Sequence, residues 1–463
     1  MNSFFFTTFI FATVISLGCL ASTGSATCHP DDEAGLLAFK AGITRDPLGL
    51  LSDWQKGSIC CSWMGVICIT NDRVTELRLS GGETVLGKGT LYGTISPSLA
   101  KLQHLEAVSF TDLKLTGSFP QFLFRLPKLK LIRISGTLIS GPIPVNIGAL
   151  TNVGDISLDD NRFTGPIPSS ISNLTRLTWL DLRGNRLPGT IPDVFKSMTK
   201  LGALILSRNG FSGELPPSFA SLARSLVHLD LSQNNLSGTI PDYFSRFKAL
   251  SKFDLSSNHY SGVVPMSFTN LKSLFHVNFS RNHLTGPFPA LNFVGGIGYL
   301  DLSYNQFHLN TIPEWVTSSS IIYNLNLAKC GIKMRFEDWK PMKIGSFSTI
   351  DLSENEISGS PARFLNKADV LYEFKASGNK LRFDLGKLNF SSSLRILDLS
   401  RNLVFGKVPA VVAGLDSLNL SQNHLCGKLP VTKFPAAVFA GNDCLCGSPL
   451  SPCKPLAAMK VSI

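Results

Sequence analysis

Apolar and polar positions recur in a fixed frame along most of this chain. LTWLDLRGNRLPGTIP (177–192), LVHLDLSQNNLSGTIP (226–241), IGYLDLSYNQFHLNTIP (297–313) and LRILDLSRNLVFGKVP (394–409) are four copies of it. The spacing between copies is a multiple of about 24 residues, which predicts a stack of similar coils rather than a globular core. Within each copy the alternation Leu-x-Leu predicts a short strand with one apolar and one polar face. Stacked side by side, such strands bury the first face and leave the second on the inside of a curved parallel sheet. The segment that follows, for example PSSISNLTRL (168–177), has apolar residues about three apart and predicts a short helix or 3-10 turn on the outside.

An asparagine closes the strand in nearly every copy: Asn161, Asn185, Asn209, Asn234, Asn258, Asn282, Asn305, Asn355, Asn379, Asn402 and Asn423. An amide at the same place in each coil can donate to and accept from backbone groups that would otherwise be orphaned. Cys330 falls in this column, and Leu113 and Thr137 replace the amide in two early coils. Cys330 is therefore expected to be a buried structural thiol, although Lys329 and Lys333 beside it leave a reactive role open.

LxxLxLxxN at this period is the leucine-rich repeat signature. The fold expected is an α/β solenoid of about 15 coils with a parallel inner sheet between two cysteine-containing caps. A right-handed parallel β-helix shares the asparagine ladder and is the rival fold; the outer segments argue against it. Boundaries follow from the pattern: a signal segment at 1–26, an N-terminal cap at 27–73, the array at 74–430 and a C-terminal cap and tail at 431–463. An insertion, GGETVLGKGT (81–90), interrupts the first coil.

The signal segment has an apolar run from Phe4 to Leu20 and small residues ending at Ala26, although Met1-Asn2-Ser3 carries no Lys or Arg, so a retained anchor stays an alternative. Beyond it no stretch approaches the roughly 18 apolar residues of a membrane span. Export to the extracellular space and cell wall is expected. Eight cysteines then fall in two groups, and their spacing suggests Cys28–Cys60, Cys61–Cys68, Cys426–Cys444 and Cys446–Cys453 as disulfides. A zinc site at Cys444-Leu-Cys446 is the rival; it lacks histidines at ligand spacing.

The net charge of +11 is spread along the chain. It points to an acidic partner, protein or pectin; nucleic acid is excluded by the expected location. No nucleophile elbow, phosphate loop, zinc-protease or kinase motif is present, and no cofactor or metal site is expected. Asp181, Asp230, Asp254, Asp301, Asp351 and Asp398 form a row that resembles glycosidase carboxylates, but each holds the D of LDLS, a repeat position. Asp159-Asp160 is less repetitive and is read as a binding or solvated pair.

The segments GPIP (141–144, 165–168) and SGTIP (237–241) resemble the plant-type leucine-rich repeat, which implies a second strand outside the inner sheet. DDEAGLLAFKAGITRDPLGLLSDW (31–54) with CCSWMGVIC (60–68) resembles the cap of plant repeat receptors, and NKLRFDLGKL (379–388) with NDCLCGSPLSPC (442–453) resembles polygalacturonase-inhibiting proteins. Those inhibitors have a shorter array, so the resemblance implies fold, export and recognition without individual contacts. It implies a non-enzymatic protein that inhibits a microbial pectinase in defence. A kinase-less co-receptor module for a plant peptide or receptor ectodomain is the alternative.

Outward positions of the inner face are the candidate binding residues: Arg133, Asp159, Trp179, Arg183, Arg208, His228, Lys252, His276, Arg281, Tyr299, Tyr304 and Tyr323, with Lys130, Asp155, Phe275 and Lys329 beside them. Five sequons, at Asn173, Asn235, Asn278, Asn389 and Asn419, are candidate glycosylation sites. Asn173 and Asn389 are expected off the inner sheet, Asn278 and Asn419 on it.

Overall fold

The structure, a computed structural model, describes residues 28–69, 73–84, 87–291 and 295–453. The expected signal segment lies outside the described residues. Successive coils stack through one inner sheet that, among the described residues, has sixteen strands. Its first strand, Val66–Ile67, belongs to the N-terminal cap and pairs antiparallel with Glu76–Ser80; the others run parallel in chain order. Parallel register is kept position by position, as in Trp179↔Ala203, Leu180↔Leu204 and Asp181↔Ile205. The middle residue of each strand points inward and is buried: Ile156, Leu180, Leu204, Leu229, Phe253, Val277 and Leu300 are nearly inaccessible. These residues and the apolar positions of the outer 3-10 turns form one continuous core from cap to cap.

Second strands occur as expected from the L-x-G-x-I-P segments. They form a five-stranded sheet beginning at Ile43–Arg45, then a six-stranded sheet from Pro188–Thr190 to Gln306–Phe307. Beyond this point only two- and three-stranded pieces remain among the described residues. The outer side carries 3-10 turns such as Ser169–Asn173 and Asp242–Arg246. A β-helix would place strands there.

The asparagine ladder holds the coils in register. Asn258 donates through Nδ2 to the carbonyls of Leu231 (3.0 Å), Leu255 (3.1 Å) and Ser256 (3.2 Å), while its Oδ1 accepts the Leu236 amide (3.0 Å). One side chain thus satisfies groups on two coils that neither coil can satisfy alone. Cys330 takes the same place with a single long bond to Leu302 (3.4 Å) and another to Ala328 (3.6 Å). Its thiol is free and buried, and burial raises its pKa, which opposes thiolate formation. The ladder continues one rung into the C-terminal cap: Asn442 donates to Leu420 and Phe439 and accepts from Leu425, in a cap whose coil sequence had not signalled it.

Both ends are sealed. The helix Pro30–Ala41 lays Phe39 on Phe110, ring centroids 5.5 Å apart and nearly coplanar. Its buried Asp32 takes two guanidinium bonds of 3.0 Å from Arg73 and the Val74 amide at 2.9 Å, so a charge removed from water is fully hydrogen-bonded. Disulfides join Cys28 to Cys60, Cys61 to Cys68, Cys426 to Cys444 and Cys446 to Cys453. With all four pairs bridged, Cys444 and Cys446 are not thiolates available to zinc.

Candidate functional site on the concave face

The polar face of the inner sheet reads as columns of side chains, one per coil. The first strand position runs Asp155, Trp179, Ala203, His228, Lys252, His276, Tyr299. The third runs Arg133, Ser157, Asp181, Ile205, Asp230, Asp254, Asn278, Asp301. Strands about 4.8 Å apart crowd both columns. Residues that a single strand would leave solvated are therefore half-buried or buried here.

That crowding explains the aspartate row. Asp254 accepts from both the amide (2.9 Å) and the hydroxyl (2.7 Å) of Ser256, and Asp301 and Asp398 do the same with Ser303 and Ser400. The D and S of LDLS close the turn together. Burial raises Asp181 and Asp254 to about 6, while the bonds to Arg183 and Ser256 pull the other way. The row spans successive coils as a repeated structural element.

In the early coils a polar depression of about 270 Å³ is lined by Asp112, Arg133, Asp159, Asp160, Trp179, Asp181 and Arg183. Ser135 donates to Asp159 at 2.6 Å, and Arg183 pairs with buried Asp181 at 3.2 Å. At the paired first strand positions beside the depression, Asp155 Oδ1 and Trp179 Nε1 are buried without a hydrogen-bond partner. Burial raises the pKa of Asp155, against the pull of Arg133.

In the middle coils the surface turns aromatic. Trp179 reaches across Ala203 to meet His228 edge-on, centroids 6.3 Å apart. His276 stacks on Tyr299 at 4.1 Å, Tyr299 lies 6.4 Å from Tyr323, and Phe275 lies 6.2 Å from Tyr323. Burial, and then Lys252 between them, holds His228 and His276 down to about 4. Both imidazoles are neutral above that pH, so Lys252 carries the local positive charge.

Arg208, Arg281, Tyr304 and Lys329 are not on the strands. Each occupies the turn just before the ladder position with φ near +54° or +55°, at the rim of the face. Arg281 covers the Tyr304 ring at 4.8 Å. Lys130 lies just before its strand and pairs with Glu106 at 2.7 Å. The sequence pattern set these four turn residues on the inner face itself; that they share a turn column with Asp160 and Glu354 is visible only in the structure.

Among the sequons, Asn173, Asn235 and Asn389 are exposed, in an outer 3-10 turn, a second strand and an outer segment respectively. Asn278 and Asn419 are half-buried on the concave sheet. Asn278 Oδ1 accepts the amide and hydroxyl of its own sequon serine, Ser280, as Asp254 does with Ser256. Among the described residues no group of three or more His, Cys, Asp or Glu could hold a metal, and no helix is long and apolar enough to cross a membrane.

A leucine-rich repeat N-terminal domain matches residues 29–69, and leucine-rich repeats match 150–211 and 216–284. Those segments of the chain are leucine-rich repeats, in line with the stacked coils and parallel inner sheet. Polygalacturonase inhibitor 2 of Arabidopsis thaliana is 35% identical over 114 residues, 23% of this chain and 34% of the inhibitor. The polygalacturonase inhibitor of Vitis vinifera is 36% identical over 115 residues, with 23% and 34% covered. The chain thus spans about a third of the length of these curated relatives. The crystal structure of a TDR receptor superposes with a TM-score of 0.62 at 25% identity, covering 80% of this chain and 68% of the receptor.

Proposed function

We propose that this leucine-rich repeat protein is a secreted recognition protein that binds and inhibits a microbial cell-wall-degrading enzyme of the polygalacturonase class. One observation carries the reading: charged and aromatic side chains from Arg133 to Tyr323 share one rigid concave face, beside sequence likeness to polygalacturonase inhibitors. Arginines and aromatics on a preformed surface are what protein interfaces use as anchors. Inhibition would come from occlusion, with the concave face covering the cleft that holds the polysaccharide. No residue of the chain acts chemically in this scheme. Basic charge would also draw the protein to pectin.

The test is to secrete the full chain from plant cells and assay it against a panel of fungal and insect polygalacturonases. Inhibition that disappears in the Trp179→Ala and Arg183→Ala variants supports the proposal; no inhibition and no binding across the panel overturns it. The likeness to a TDR receptor favours a second reading, a ligand-binding module for a plant peptide or receptor. Capture of a plant receptor ectodomain or peptide, with every pectinase unaffected, would select it.

A further inference from the structure

Four apolar side chains stand exposed along the edge where the inner strands begin: Val227, Phe275, Tyr323 and Tyr372, at 46%, 39%, 40% and 44% exposure. They occur in alternate coils. The coils between them carry Ser251, Gly298 and Ser348 at the same position. An unbroken ladder joins all seven, each amide donating to the carbonyl of the coil before, from Ser251 to Val227 (2.9 Å) through Tyr372 to Ser348 (2.8 Å). The row is therefore as rigid as the sheet. Phe275 folds over Gly298, where an added Cβ would lie 2.3 Å from its ring, and so reaches Tyr323. The rings close the middle gap and leave two open slots, over Ser251 and Ser348.

We infer that this row is a docking site for a proline-rich protein segment in the polyproline II conformation. Two coils advance about 9.6 Å at a strand spacing near 4.8 Å. A polyproline II helix repeats every three residues, about 9.3 Å, so every third side chain of such a segment keeps step with the row. The two open slots lie about 19 Å apart, close to two turns of that helix. The segment drops one residue into each slot and lays the residue between them on the Phe275–Tyr323 ring pair.

The polar groups fit the same occupant. Next to the small positions stand Lys252, Tyr299 and Thr349, all donors. Thr349 accepts from the Asn324 amide at 2.5 Å, which leaves its own hydroxyl proton to give. Polyproline II has no internal hydrogen bonds, so its carbonyls are open acceptors. Lys252, flanked by two neutral histidines, supplies positive charge at one end of the row. An acidic residue at that end of the segment complements it.

The probe is a labelled peptide of about nine prolines with an aspartate at each end, about 34 Å long at 3.1 Å per residue. It is titrated against the full secreted chain by fluorescence anisotropy. Saturation below about 1 mM is expected, with at least a tenfold loss in Tyr323→Ala and in Tyr372→Ala. Ser348→Tyr fills a slot while adding apolar surface, and it too should weaken binding about tenfold. A peptide of equal length with alternating glycines should bind at least tenfold more weakly. Tyr372 and Ser348 are accessible positions, and a melting curve confirms the fold of each variant. Failure to saturate, unchanged or tighter binding by Ser348→Tyr, or displacement of the peptide by a neutral glucan oligomer overturns the inference. Direct titration keeps this result independent of pectinase inhibition.

Discussion

Asp160 and Arg208 are 48 residues apart and make an ion pair of 2.8 Å that skips an entire coil. Between them lies Gly184, with φ at +65° and room for no Cβ: one would sit 2.2 Å from Asp160 Oδ1. Glu354 and Arg401 repeat the arrangement over Gly378. Phe275 and Tyr323 do the same with aromatic rings over Gly298. A small residue in one coil lets its neighbours on either side touch, and the concave surface gains lateral contacts that no single repeat encodes.

Gly184→Ala should therefore act twice, through left-handed strain of about 1–2 kcal/mol and by displacing the Asp160 carboxylate. Arg208→Ala removes only a half-exposed pair and should lower stability by about 0–1 kcal/mol. Urea unfolding of the two variants checks this; an equal loss in both would mean that the glycine conformation is not what matters.

The ladder predicts a ranking. Asn258→Ala leaves three carbonyls and one amide without their partner and should cost about 3 kcal/mol, whereas Cys330→Ala, which removes two weak sulfur bonds, should cost about 1–2 kcal/mol. Cys330→Asn should raise stability by about 1 kcal/mol. In the native protein Cys330 should resist alkylation until denaturant is added. Melting temperatures and thiol labelling test both halves.

Acid pH should favour the fold. Asp181 and Asp254 are raised to about 6 by burial, above their unfolded value near 3.9, so the folded state binds more protons in that window. Their contribution is present below the unfolded value and lost as pH rises from about 4 to 6. Asp155, Asp301 and Asp351 shift in the same direction. His228 and His276, lowered to about 4, oppose them: protonating the unfolded chain lowers stability as pH falls from about 6.5 to 4. With more carboxylates than histidines shifted, the wild type should melt no lower at pH 4.5 than at pH 6.5. Asp181→Asn with Asp254→Asn should reverse that slope, so that stability rises over the same range, by up to a few kcal/mol. Calorimetry at the two pH values decides it.

Much of this was legible in the sequence, because each coil buries the same positions and so repeats the same letters. Cys330 could be assigned to the ladder by counting alone. What did not show were relations between coils. The sequence pattern set Arg208, Arg281, Tyr304 and Lys329 on the inner face, whereas the left-handed turn before the ladder carries them to its rim. Asp181 read as an outward repeat position, yet it is buried because Arg183 and neighbouring strands close over it. Val227 and Tyr372 passed unnoticed since each is ordinary within its own repeat. Only the stacking reveals that they share a row.

Asn278 offers the sharpest probe of which part of the concave face meets a partner. Its carboxamide already performs the role that aspartate has in neighbouring coils, binding Ser280 through Oδ1, while Nδ2 reaches Asp254 Oδ2 at 3.3 Å. A glycan on Nδ2 would break that last contact and stand over His276 and Tyr299, whereas glycans on exposed Asn173, Asn235 and Asn389 would project away from the inner sheet. Glycopeptide mapping should therefore find high occupancy at Asn173, Asn235 and Asn389 and low occupancy at Asn278 and Asn419. Asn278→Asp removes the sequon yet preserves both serine bonds, so its melting temperature should stay within a few degrees of the wild type, a shift of about 1 kcal/mol or less. If the aromatic coils carry the interface, an introduced negative charge beside His276 should change partner affinity about tenfold or more. If affinity is unchanged, the interface lies in the early coils, and Arg183→Ala, next to buried Asp181, becomes the variant that must lower it.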